Sequence, residues 1–366
     1  MHIERMLVQD LRILRSVELR LSPGLNVFVG ANGSGKTSLL EAAHLLSYGR
    51  SFRSGGRDVL VRSGTDLARV FAEIRGDSGG TQRLGIERAG SSWRGRVNDT
   101  DVGQLSELFR LCTVCCFEPG SHELVSGGAE PRRAMLDWGV FHVEPEFLPS
   151  WRRYQRALRQ RNALIREQAP EDWFPAWEME MASAALVVDR MRRQHADDLG
   201  FRVVEAAAAI LPEFSGALLS LSSGWKGEEE PVTLETLVQR LAAERGRDRE
   251  RGFTRRGPHR ADWTIRFDQV LRREHLSRGQ EKLLALTMVL AQLSCLQQVK
   301  REWPILLLDD LASELDGIHQ RLVLDWIAQR PIQVLLTGVG MPDALAEAGF
   351  SPRVFHVEQG RVEAHH

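Results

Sequence analysis

The chain has 366 residues, 43% of them hydrophobic and 27% charged, the balance of a folded protein with core enough for two or three domains. Its formal net charge is −1, so no overall field demands nucleic acid or an anionic surface as partner. Apolar runs such as Ile305–Leu308 fall far short of the ~18–20 residues that cross a membrane, and Met1-His2-Ile3-Glu4-Arg5 runs straight into charge, so no leader, no membrane partner and a cytoplasmic location are expected.

Val17, Leu19 and Leu21 alternate, and Val27 and Val29 follow the turn Ser22-Pro23-Gly24, which predicts short strands. Lys36–Ser47 reads as a helix. Alternation over Val70–Ile74 and Gln82–Glu87, split by Gly76-Asp77-Ser78-Gly79-Gly80, predicts an antiparallel hairpin. Leu111–Phe117 holds Cys112, Cys115 and Cys116; Cys295 lies far off, and no second pair or histidine stands at zinc spacing. A buried strand with free thiols is expected there.

Trp151, Tyr154, Leu158 and Ile165 follow helical spacing, and Trp177, Met181, Ala184, Val188 and Met191 repeat it. Pro170 and Pro175 separate the two runs, so a helical hairpin is predicted, with helix continuing towards Ile210. Glu228-Glu229-Glu230-Pro231 reads as the start of another helix. Past Gly257 strands and helices alternate again; Ile305–Leu308 and Gln333–Thr337 read as strands buried on both faces. The expected fold is α/β: one head assembled from both chain ends, residues 1–135 and 251–366, with a mainly helical lobe, 136–250, inserted between them.

Charge is unevenly spread. Trp151–Arg166 carries Arg152, Arg153, Arg156, Arg159, Arg161 and Arg166 and no acid, and Arg240–Arg260 carries eight arginines against Glu244, Asp248 and Glu250. Either cluster can supply phosphate contacts whatever the net charge, or can be a solvated helix face or a protein-binding surface.

Three motifs carry chemistry. Gly30-Ala31-Asn32-Gly33-Ser34-Gly35-Lys36-Thr37 fits G-x-x-x-x-G-K-[ST] between an apolar strand and a helix. Glycines let backbone N–H groups wrap phosphates, Lys36 reaches the β- and γ-phosphates, and the Thr37 hydroxyl ligates Mg²⁺. Ile305–Leu308 ends in Asp309-Asp310; Asp309 can meet the metal held by Thr37, and Asp310 can orient or deprotonate the attacking water. Leu276-Ser277-Arg278-Gly279-Gln280 contains a capping-box pair, Ser277 with Gln280, so a helix starts here and runs towards Gln298. That helix N-terminus is a second phosphate-binding surface.

The order of these motifs, followed by Ser313-Glu314-Leu315-Asp316, resembles the ABC ATPases, and the separation of about 240 residues between Lys36 and Ser277 resembles the SMC and RecF branch. Gly49-Arg50-Ser51-Phe52-Arg53, Gly128-Ala129-Glu130-Pro131-Arg132-Arg133 with Leu136-Asp137, Gly257-Pro258-His259-Arg260-Ala261-Asp262 and Leu276–Lys282 are similar to the RecF family itself. The resemblance implies ATP and Mg²⁺ as cofactors. It further implies an ATP-sandwiched homodimer in which Ser277, Arg278, Gly279 and Gln280 complete the partner's nucleotide site, with Asp310 and Lys36 catalytic and turnover slow. It implies DNA as partner, single-stranded and gapped duplex, with RecO and RecR, in gap repair, replication, RecA loading and the SOS response. Three departures accompany it. Asp310 stands where transporters carry glutamate, Thr337 where they carry a switch histidine, and a Q-loop residue is to be sought around Phe117-Glu118-Pro119.

Overall fold

A computed structural model of the protein describes residues 1–53, 60–76, 79–211, 216, 218–225, 233–266 and 276–365. From the N-terminus come β1 (His2–Leu11), β2 (Leu14–Arg20), β3 (Leu25–Val29), α1 (Lys36–Tyr48), β4 (Leu67–Arg75), β5 (Thr81–Ala89), β6 (Ser92–Val97) and β7 (Thr100–Asp101). Then follow α2 (Leu105–Leu111), β8 (Val114–Phe117), α3 (Glu123–Ser126), α4 (Ala129–Val143), α5 (Phe147–Arg166), α6 (Phe174–Ile210), β9 (Leu218–Ser222), α7 (Leu234–Arg251) and β10 (Asp262–Arg266). The chain ends with α8 (Arg278–Lys300), β11 (Ile305–Leu308), α9 (Leu311–Glu314), α10 (Gly317–Ala328), β12 (Val334–Gly338), α11 (Asp343–Glu347), β13 (Arg353–Glu358) and β14 (Arg361–His365).

These elements form two compact units, one of Met1–Ser126, Glu205–Ser215 and Arg273–His366, the other of Gly127–Val204 and Gly216–Arg272. The first unit holds two six-stranded sheets. One is antiparallel, in the order β2-β1-β4-β5-β6-β7; the other runs β14-β13-β3-β12-β11-β8, with β13, β3, β12, β11 and β8 parallel. Every residue of β3, β11 and β12 is buried, which is why Ile305–Leu308 and Val334–Leu336 read as apolar runs rather than alternations; β3, read from Val27 and Val29, also buries Asn26, whose amide donates to the Ser22 and Gly24 carbonyls. Helix α1 lies in the common core: Leu39, Leu40, Ala43 and Leu46 join Met6, Val8, Val70 and Leu84 of one sheet and Phe28, Leu307, Leu335 and Phe355 of the other. Each of the four fully buried aliphatics of β11 contributes about 1.5–3 kcal/mol. Because β12 lies between β3 and β11, all three deliver their carboxyl ends to one edge of the sheet, where open α/β folds bind ligands.

In the second unit the expected helical hairpin is α5 against α6. Tyr154, Ala157 and Leu158 pack with Met181, Ala184 and Ala185 and with Leu237 and Leu241 of α7. Strands β9 and β10 pair antiparallel. Pro175 does not stop the chain from turning helical; it sits in the first turn of α6, where its missing N–H has no helical partner to lose.

The described structure departs from the sequence expectations in two places, and a third expectation falls outside it. The cysteine segment becomes strand only at Val114, because Leu111 closes α2 and Cys112 is its extended C-cap. The helix start expected at Glu228–Pro231 lies outside the described residues; α7 is capped at Thr233, whose hydroxyl accepts from the Thr236 N–H at 3.2 Å. Finally, α8 is long and apolar enough to span a membrane by length and composition, yet 72% of its apolar window is buried within the fold, as for a core helix.

Candidate nucleotide-binding site

Strand β3 ends at Val29, and the chain wraps through Gly30–Gly35 into the first turn of α1. Two glycines there are dictated by geometry. Gly35 takes φ 116°, closed to most side chains, and a Cβ on Gly30 would come within 2.1 Å of the Val357 carbonyl of β13. The β13–β14 turn also fastens the loop from outside, since the Gly360 N–H donates to the Ser34 carbonyl at 2.8 Å. Gly33 has positive φ with open space where a Cβ would stand, and Ala31 and Asn32 are exposed.

Lys36 is buried at 8% exposure, and its ammonium donates to the carbonyls of Gly30 (2.7 Å) and Ala31 (2.9 Å). Burial lowers its pKa from the ordinary lysine value, against the pull of Asp310 and Asp309. A lysine whose hydrogen bonds among the described residues go to neutral loop carbonyls is poised to exchange them for phosphate oxygens. The next residue makes the decisive long-range contact: Thr37 Oγ1 lies 3.0 and 3.1 Å from the two carboxylate oxygens of Asp309, 272 residues away. Asp309 is 5% exposed, and burial raises its pKa while hydrogen bonds from Thr337 and Thr37 act the other way.

Asp310 adopts left-handed backbone angles, φ 54° and ψ 42°, which a non-glycine residue visits at a cost. Its Oδ1 is buried and has no hydrogen-bond partner among the described residues. Such an orphan acceptor at the edge of a phosphate cradle suits an acid waiting for a water or a metal-bound group. The P-loop N–H groups, Lys36, and the Thr37 and Asp309 oxygens together match what nucleotide phosphates and a hard divalent cation require. The residues fit ATP and Mg²⁺.

The segment Leu276–Gln280, the signature of the ABC-type order of motifs, forms as its capping box requires. Ser277 N–H donates to Gln280 Oε1 at 2.9 Å, and Ser277 Oγ accepts from the Gln280 N–H at 3.3 Å. Ser277, Arg278 and Gly279 are exposed, and among the described residues a Cβ at Gly279 would meet Ser277 Oγ alone, at 4.0 Å. The segment is thus presented outward at the N-terminus of a 23-residue helix. Lys282, one turn in, pairs with Glu314 of α9 at 2.8 Å, tying the signature helix to the Ser313–Asp316 stretch of the same chain.

Three groups near the acids were not singled out as site residues by the motifs. Thr337, on β12, donates to Asp309 Oδ1 at 2.7 Å and accepts from the Asp310 N–H at 2.9 Å. The charge of Arg53 opposes the upward shift of Asp309. Glu118, in the Q-loop search segment, is raised in pKa by burial and by Asp309, against the Gly120 N–H that it accepts at 2.6 Å. Arg53 stands in a stretch already distinctive in the sequence, Thr337 at the switch-histidine position and Glu118 in the Phe117–Pro119 segment, but none of the three carries a local signal of its contact with the acids.

His259 belongs to the second unit, and both its ring nitrogens are used there: Nε2 with the Thr254 carbonyl at 3.0 Å, Nδ1 with the Tyr154 hydroxyl at 2.6 Å. Burial lowers its pKa to about 4, in keeping with the neutral ring that these two bonds engage. Arg260 beside it stays exposed, over the Phe253 ring.

A model of the RecF/RecN/SMC N-terminal domain matches residues 2–363. The DNA replication and repair protein RecF of Xanthomonas oryzae pv. oryzae is 44% identical over 367 residues, covering 99% of this chain and all of that one. The protein of the same name from Stenotrophomonas maltophilia is 44% identical over 368 residues, covering 100% of each. Among solved structures, the recombination mediator protein RecF with ATP, in the RecFOR pathway, superposes with a TM-score of 0.88 at 25% identity, covering 100% of this chain and 98% of that chain. An Smc head bound to the C-terminal winged-helix domain of ScpA shares the fold with a TM-score of 0.60 at 16% identity, covering 100% of this chain and 97% of that chain. With an ABC-type head, a P-loop facing Asp309-Asp310 and these full-length likenesses, the chain belongs to the RecF family of SMC-like ATPases.

Proposed function

We propose that this protein is an ATP-dependent DNA-binding protein of replication and recombinational gap repair. In this reading it closes as an ATP-sandwiched homodimer on single-stranded and gapped duplex DNA and hydrolyses ATP slowly. It aids RecA loading with RecO and RecR and thereby serves SOS induction, in the cytoplasm. The relatives' names and the RecFOR setting of the ATP-bound neighbour support the process. The observation that carries the ATPase part is the Thr37–Asp309 contact, which brings the two ends of the chain to one metal-binding oxygen set.

Gly30–Thr37 cradle the phosphates through backbone N–H groups, with Lys36 supplying the positive charge. Thr37 and Asp309 would hold Mg²⁺, which neutralises phosphate charge and polarises the transferring group when bound. Asp310 orients the attacking water and takes its proton. Its orphaned Oδ1 is free to do so. Ser277–Gln280, presented outward, complete the nucleotide site of a second copy across a two-fold axis. The γ-phosphate then stabilises the closed state in a way that ADP cannot, so nucleotide state biases the dimer equilibrium.

Solution mass and DNA binding, each measured with ATP, ADP and no nucleotide, test the reading. Doubled mass and tightened DNA binding are expected in ATP alone. A monomer in all three conditions would remove the sandwich, and DNA affinity indifferent to nucleotide would leave a scaffold with ATP as a structural ligand.

A further inference from the structure

The position after β12's apolar run, where transporter ATPases place a switch histidine, is Thr337, and its surroundings settle what its hydroxyl can do. Thr337 is 1% exposed. A threonine hydroxyl has one proton to donate. Here that proton goes to Asp309 Oδ1 at 2.7 Å, while the oxygen accepts the Asp310 N–H at 2.9 Å. No donor is left for a γ-phosphate. The same two bonds reach both halves of the acid pair: one fixes the orientation of the Asp309 carboxylate that faces Thr37, the other pins the backbone of Asp310 in its left-handed conformation.

We propose that Thr337 is a positioning residue for the metal-binding carboxylate and the hydrolytic acid rather than a contact to the nucleotide. The inference rests on the nucleotide reading above. By aiming Asp309 it sets cation affinity, and by holding Asp310 in a strained backbone state it aims the orphaned Oδ1. Two consecutive acids need this help. Asp309 ends a buried strand and Asp310 leaves strand geometry at once as the N-cap of α9, where its carbonyl accepts from the Ser313 and Glu314 N–H groups; Thr337 on the neighbouring strand β12 anchors the kink from the N–H side.

The test uses Thr337→Val, which keeps shape and removes the hydroxyl, and Thr337→Ser, which restores it. A fluorescent ATP analogue is titrated onto the full-length protein with EDTA and across a Mg²⁺ series. Affinity in EDTA should be the same in all three proteins. The Mg²⁺ concentration that half-saturates the metal-dependent rise in affinity should increase about tenfold or more in Thr337→Val, the usual scale for losing the partner of a metal ligand, and return in Thr337→Ser. Turnover should fall in parallel with the Mg²⁺ effect, whereas the ratio of ATP to ADP affinity in EDTA stays unchanged. A native Mg²⁺ requirement in Thr337→Val, or a loss of ATP preference in EDTA, would overturn the positioning role. Failure of the unmodified protein to show any Mg²⁺-dependent binding would instead overturn the nucleotide reading beneath it.

Discussion

The phosphate cradle and the arginine-rich helix α5 both announce themselves in the sequence as places for phosphate, and the structure treats them differently. In the cradle the charged groups are kept available. Among the described residues Lys36 donates to loop carbonyls alone, and Asp310 presents an acceptor without a donor. In α5 and its neighbours much of the charge is used internally. Arg161 is fully buried, donating to Glu178 (3.1 Å), Asp248 (2.7 Å), Thr254 Oγ1 (2.7 Å) and the Leu241 carbonyl (2.8 Å). Arg153 pairs with Glu180 at 2.9 Å. Of the second cluster, Arg245 binds Glu178 and Glu171, Arg249 binds Glu171, Arg247 binds Glu244, and Arg255 binds Glu244 and Asp248. A run of like charge in sequence is therefore no measure of a surface field, because carboxylates from distant turns can neutralise it.

Four experiments sharpen that contrast. The largest effect belongs to Lys36→Ala, which should lose nucleotide binding at concentrations that saturate the native protein while its unfolding free energy changes by less than ~1 kcal/mol. Filter binding and urea denaturation read the two quantities, and retained affinity would remove the P-loop assignment. Asp310→Asn keeps size and hydrogen bonding without the base. Turnover should drop by roughly 10²–10⁴ with ATP binding preserved, and native turnover would show that Asp310 does not handle the water.

Arg161→Ala inverts the pattern. Removing one member of a buried ionic network should cost about 3–5 kcal/mol of stability in urea, because Glu178 and Asp248 keep charges whose burial is then less well compensated. A variant as stable as the native chain would mean that the network tolerates the gap, with Arg245 and Arg255 carrying it. The smallest effect is expected from the exposed arginines. If α5 touches duplex DNA, replacing Arg156 and Arg159 should flatten the slope of log affinity against log salt by about 0.9 for every phosphate that is no longer neutralised, with stability unaltered. An unchanged slope moves the DNA surface elsewhere, and the exposed Arg260 beside Phe253 is next to be tried.

Much of the head was legible because its signals are local. The P-loop needs glycines at fixed offsets between a strand and a helix, and Ser277 with Gln280 builds its own cap within four residues. Buried parallel strands announce themselves as apolar runs, so β11 and β12 could be found without knowing their neighbours, and β3 was marked by Val27 and Val29 after the Ser22-Pro23-Gly24 turn. The α5–α6 hairpin followed from helical spacing on either side of two prolines.

What the tertiary structure alone decided concerns groups whose meaning depends on a partner far along the chain. Gly30 is obligatory because a β13 carbonyl, 327 residues later, fills the space of a Cβ. Of six arginines at similar helical spacing, Arg161 is the one turned wholly into the core, and only the arrival of Glu178, Asp248 and Thr254 makes that burial tolerable. Thr337 could be located by its place after a strand, but whether its single proton faced a phosphate or a carboxylate depended on strand order, since β12 lies directly beside β11 and its acids. The sequence determined which groups can bind phosphate and metal, through spacing within one loop or one helix turn; the packing of strands and helices decided which of those groups remain free to do it.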